Sequence, residues 1–149
     1  MTAKEVTDFL LANAKPTKKS FDEKIFNTKE YVYGVPVPIL RGFVKENCKN
    51  NFSDFIASEK RSVEEKIIFG LLIAQNKTDY DKFLREEKLF LPLIESWVVC
   101  DVVTTSLKII SKYKKQYFER VKLLLYSENP FEHFLMILIG TFFLSENEM

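Results

Sequence analysis

Apolar residues recur every three to four positions along nearly the whole chain, the spacing of one buried helix face. In TAKEVTDFLLANAK that face is Val6, Phe9 and Leu10, and in KKSFDEKIFNTKE it is Phe21, Ile25 and Phe26. The pattern breaks at YVYGVPVPIL. Gly34 allows a turn conformation there, and Pro36 and Pro38 cannot sit inside a helix. Pro38 fits the first turn of a new helix running to about Asn47.

NFSDFIAS reads as a short helix. SVEEKIIFGLLIAQNK is the clearest helix in the chain, because Ser62 and Glu65 have capping-box spacing and acids fill the first turn. TDYDKFLREEKLFLPLIES predicts one helix, then a short one broken around Pro92. VVCDVVTTSLKIISKY, KQYFERVKLLLYS and PFEHFLMILIGTFFL predict three more. WVVCDVV is β-branched, but it runs without a turn into helix formers. The reading is all-α, roughly eight to nine helices joined by short loops. No Gly-, Pro- or Ser-rich linker divides it, so residues 1–149 form one domain. The helices come in pairs of about HEAT-unit length. That favours a HEAT-like or armadillo-like α-solenoid of antiparallel helical pairs over a bundle.

Composition narrows the picture further. A chain of 149 residues can bury a genuine core, and scarce Gly and Pro with 14 Phe suit large side chains between helices. The formal net charge of +1 excludes a basic tail protein. Cys48 and Cys100 lack metal-ligand spacing and there is one histidine, so a structural zinc site is not expected. Two buried free thiols in a cytoplasmic protein are expected instead. MTAKEVTDFL carries acids early and no long apolar run, unlike a signal peptide. The longest apolar run, residues 134–144, is too short to span a bilayer and predicts a buried helix.

The candidate chemistry begins at SWVVCD. A helix over 97–113 puts Trp97, Asp101, Thr104, Thr105, Lys108 and Lys112 on one stripe, opposite Val99, Val102, Val103, Leu107, Ile109 and Ile110. Beyond it, Lys114, Lys115, Arg120 and Lys122 make the densest basic region of the chain. With Tyr113, Tyr117 and Phe118 interleaved, this region suits phosphate contact and base stacking. A solvated helix face, with lysines complementing the helix dipole, is the plainer alternative. On residue type alone Trp97 is more often a core aromatic, and Asp101 also suits an N-cap ahead of VVTTSLKII. Arg41 and Lys45 share a face after Pro38, and His133 follows NPFE at a helix start. Both positions also suit ordinary solvated roles.

Four segments, in order, resemble the DNA alkylation repair family, the AlkD-like HEAT-repeat DNA glycosylases. GVPVPILRGFVKE is similar to the family's Gly-Val-x-x-Pro-x-x-Arg segment, and SVEEKIIFGLLIA to its Glu-Glu…Gly-Leu-x-Ile-Ala helix. IESWVVCDVVTTSLK resembles the segment whose Trp and Asp, four apart, line the DNA-facing surface. NPFEHFLMILIGTFFL resembles the next helix. The resemblance covers about Phe21 to Leu144. It implies a curved solenoid whose concave face holds alkylated duplex DNA, and an excision of positively charged N3- or N7-alkylated purines that needs no metal or organic cofactor. It makes Trp97 and Asp101 the catalytic pair, and implies DNA contacts at Arg41, Lys45, Thr105, Lys108, Lys112 and Lys115.

The family's catalytic arginine falls on His133 or Phe134 here, and the family's further tryptophan has no counterpart. A histidine is a poor substitute for a permanently charged, bidentate phosphate clamp. The expectation is therefore a DNA alkylation repair homologue whose catalysis is reduced or lost. The alternative is a helical-repeat module that binds DNA or protein without cleavage. The chain ends several helices short of a typical member. The apolar run 134–144 then needs a cover, from a different closure of the fold or from a partner such as a second copy.

Overall fold

The computed structural model describes residues 1–132, apart from the side chains of Leu124 and Leu125. His133 and the apolar run 134–144, with the partner it was expected to seek, lie outside the described residues. The described chain is all-helical. Its elements are α1 (Ala3–Asn13), α2 (Pro16–Phe26), α3 (Val37–Asn47), α4 (Ser53–Ala57), α5 (Val63–Ala74), α6 (Tyr80–Phe90), α7 (Trp97–Thr104), α8 (Ile109–Lys112) and α9 (Lys114–Val121). Short 3-10 turns follow α6 at Leu91–Leu93 and α9 at Lys122–Tyr126. Among the described residues the one β feature is an isolated parallel bridge between Tyr31 and Ser62. No helix among the described residues is long and apolar enough to cross a membrane.

Helix starts follow local chemistry. Ser62 Oγ accepts the Glu65 amide at 3.0 Å while the Glu65 carboxylate accepts the Ser62 amide at 2.8 Å, the reciprocal cap expected from spacing. Thr2 and Glu5 cap α1 in the same way. Pro38 lies in the first turn of α3, where its missing N–H is not needed.

Helix α5 is the axis of the core. Of its residues only Glu65 and Leu72 are not buried, and it packs on α3, α6 and α7. Gly70 permits the closest approach: a Cβ there would lie 2.3 Å from a Val103 methyl of α7. Helix α5 also buries a carboxylate. Glu64 accepts backbone N–H bonds from Gly34 at 2.9 Å and Tyr33 at 3.2 Å, which pins the segment leading into α3. Burial raises the Glu64 carboxyl above its ordinary range, and these hydrogen bonds oppose the rise. Tyr117 donates its hydroxyl hydrogen to the buried Glu87, and Arg120 Nε donates to the same carboxylate at 3.1 Å, tying α9 to α6.

Three expectations need correction. Phe21 and Ile25 of α2 point outward, 62% and 58% exposed, while Asp22 is buried and paired with Lys18 at 2.9 Å. The cause is the seat of α2 on Gly34, whose absent Cβ would strike the Lys19 amide and the Lys15 carbonyl. Lys15, Lys19, Asp22 and Phe26 lie on one helical face, so docking that face turns Asp22 inward. Gly34 itself has φ +83°, a conformation glycine adopts freely. Cys48 is exposed, so only Cys100 is a buried thiol, and burial pushes Cys100 up to about 11.

The third correction concerns the helix expected over 97–113, which is broken. It ends at Thr104, turns through 105–108, and resumes as α8. Thr105 Oγ1 donates to the Asp101 carbonyl at 2.9 Å and Ser106 Oγ to the Val102 carbonyl at 2.7 Å. Hydroxyls that occupy helix carbonyls compete with the backbone ladder. The backbone then tightens, with Ser106 and Leu107 amides bonding three residues back at 3.0 and 3.2 Å. Thr104 is buried rather than part of a polar stripe.

Candidate nucleic-acid interface

Two features share one face of α7. Trp97 stands at its first turn and Asp101 one turn later, both exposed, Trp97 by 49%. Asp101 is thus a mid-helix residue and caps nothing; the cap position belongs to Ser96. The Asp101 carboxylate makes no hydrogen bond or ion pair with any described residue. The Phe131 ring meets Trp97 edge-on with centroids 4.5 Å apart, and the Phe131 carbonyl accepts a bond from the Cys100 thiol at 3.6 Å. Trp97, Val98 and Asp101 join Ile25 and Phe26 of α2 around a mainly apolar hollow of about 500 Å³. Trp97 is therefore not a core aromatic.

Thr105 follows Asp101 by one further turn. It opens a second hollow of about 370 Å³, which crosses the ends of α5 and α7 and the side of α3. Arg41, Lys45, Lys77 and Lys108 surround it, with Thr105 and Ser106 between them. Arg41 Nη1 donates to Ser106 Oγ at 2.8 Å. The four cations form no salt bridge with any described residue. Lys77 and Lys108 follow the carboxyl ends of α5 and α7, where cations complement the helix dipole.

The structure thus gathers four of the sequence-derived DNA contacts, Arg41, Lys45, Thr105 and Lys108, around one groove. Trp97 and Asp101 lie up the same face, Trp97 about 12 Å from Thr105 by the rise of an α-helix. Lys112 and Lys115 are exposed on α8 and α9 and do not line this groove; the break after Thr104 carries Lys112 off the stripe. His133 cannot be positioned, as it lies outside the described residues. Lys77 was missed from sequence. It sits in the loop after α5, and only packing brings that loop beside α3. No family model, curated protein or solved structure matches this chain in comparisons with known proteins.

Proposed function

We propose that the chain is a DNA-binding protein of the alkylation-repair type, a HEAT-like solenoid that holds duplex DNA bearing cationic alkylated purines. The observation that carries this reading is the groove lined by Arg41, Lys45, Lys77 and Lys108, none in a salt bridge with a described residue, with exposed Trp97 and Asp101 on the turns of α7 before it. Exposed cations around a concave surface bind phosphates by releasing condensed counterions. The side-by-side packing of α3, α5 and α7 supports a row of stacked helical pairs.

In this reading the phosphates sit against Arg41, Lys45, Lys77 and Lys108, and Trp97 and Asp101 meet a deoxyribose a few nucleotides along. The alkylated purine is already positively charged. When its bond to C1′ breaks it takes the electron pair and leaves neutral, and the sugar becomes an oxocarbenium ion. Asp101 stabilises that charge electrostatically, and the Trp97 face adds a weaker attraction, about 1 kcal/mol when exposed. Water then adds to C1′ and loses a proton, with Asp101 able to orient it.

A second reading is binding without excision. One observation favours it: no described donor orients the Asp101 carboxylate, and preorganisation is what makes such charges catalytic. Release of methylated purines from duplex DNA separates the two. Excision predicts release by the wild type that is lost in Asp101→Asn. Equal background release from both, with duplex binding retained, leaves the binding reading. No salt-dependent duplex binding at all removes both.

A further inference from the structure

A further cavity lies away from this groove. It encloses about 550 Å³ between the loop after α4, the flank of α5 and the turn after α6. That volume is within the range of about 300–1,000 Å³ usual for small-molecule sites. Its apolar wall is Ile56, Phe69, Leu89 and Leu93, and four cations and three glutamates complete it.

The charges do not pair evenly. Lys66 is held by Glu30 and by Glu95, the latter at 3.4 Å, and Arg61 by Glu59 at 2.9 Å. Lys60 is only 8% exposed and has no carboxylate within salt-bridge distance among the described residues. Its ammonium donates to the Ile56 and Ser58 carbonyls and lies 4.7 and 5.2 Å from the Phe55 and Phe69 ring centres. These contacts cap the end of α4, and they use two of three N–H donors. Lys60 can thus take one further acceptor at the edge of the cavity. Burial lowers the Lys60 pKa, and the Glu65 carboxylate, beyond salt-bridge distance, opposes the shift.

We propose that this cavity binds a small amphipathic carboxylate. Its headgroup completes the hydrogen bonding of Lys60, and its tail lies along Ile56, Phe69, Leu89 and Leu93. A buried cation with no carboxylate in salt-bridge distance among the described residues gains most from an anion that brings its own apolar body, which lies along the apolar wall. Inorganic phosphate has the charge without the tail, and a neutral alcohol has the tail without the charge.

The test is calorimetric titration of the full chain with octanoate below its micellar range, with octanol and inorganic phosphate in parallel. Saturable octanoate binding is expected, at least tenfold tighter than either control. Lys60→Met, a swap of similar length that removes the charge, is expected to weaken octanoate at least tenfold and to leave octanol unchanged. Leu89 is 59% exposed, so Leu89→Glu tests the site without threatening the core. It too is expected to weaken octanoate. Octanoate binding that is absent in the wild type, or unchanged in both variants, overturns the proposal.

Discussion

Arg41 of α3 hydrogen-bonds Ser106, just after α7, at 2.8 Å. The two residues are 65 positions apart in sequence. The bond links two walls of the groove and uses one of the five guanidinium N–H donors. A fork held in this way loses less freedom when it meets a phosphate than a loose lysine does.

Charge reversal in this groove should therefore change duplex binding in a specific way. Arg41→Glu and Lys108→Glu are each expected to weaken affinity about equally for all sequences. Each should also flatten the slope of log K against log salt by about 1, as for the loss of one phosphate contact. Lys115→Glu, outside the groove, is expected to change the slope much less. Binding measured by fluorescence anisotropy over a salt series checks this. Equal effects of Lys108→Glu and Lys115→Glu would reject the groove as the contact surface.

The close approach of α5 and α7 makes a second prediction. Gly70→Ala places a methyl carbon where Val103 already stands. It is expected to destabilise the chain by about 1–3 kcal/mol, the usual cost of overpacking. Adding Val103→Ala should recover part of that loss, so that the double variant is more stable than the sum of the singles. Urea unfolding of the four proteins measures the coupling. Strict additivity would mean that the helices separate instead.

The Glu87 carboxylate supplies a pH prediction. Burial raises its pKa, against the opposing pull of Tyr117 and Arg120. The folded chain therefore holds this proton more tightly than the unfolded chain, whose carboxyl titrates near about 4.3. Stability from this group is present at low pH and is lost as pH rises through the window above that value. Glu87→Gln removes the titration. The stability of the variant relative to wild type is expected to improve as pH rises above about 4.3 and to level off once the folded carboxyl has ionised, even though Arg120 loses its partner. Unfolding free energies at several pH values test the slope, and a difference independent of pH would contradict it.

Much of the helical framework was legible because its signals are local. The Ser62–Glu65 cap, the Pro38 start and the Gly34 break each depend on residues a few positions apart, and each is found where the spacing puts it. Some signals were equally local but misleading. Phe21, Ile25 and Phe26 have the periodicity of a buried face, yet contact with Gly34 sets the rotation of α2 and leaves two of the three outside. The stripe from Trp97 to Lys112 assumed one unbroken helix. Hydroxyls at Thr105 and Ser106 end it early and leave Lys112 off the groove.

The sequence by itself determined the all-α class, most helix ends, and the one-turn spacing of Trp97 and Asp101. Those are short-range properties of a repeating backbone and its caps. The exposure of Trp97 and Asp101 came from the structure. Only the tertiary structure decided which cations meet. Arg41, Lys77 and Lys108 come from three separate elements and converge because α3, α5 and α7 pack side by side. It also decided that Lys60 is buried with no carboxylate in salt-bridge distance among the described residues, beside a cavity that Leu93 and Glu95 after α6 help to line. Such convergence depends on how helix faces rotate to bury their apolar area, a sum over the whole core that no local pattern encodes.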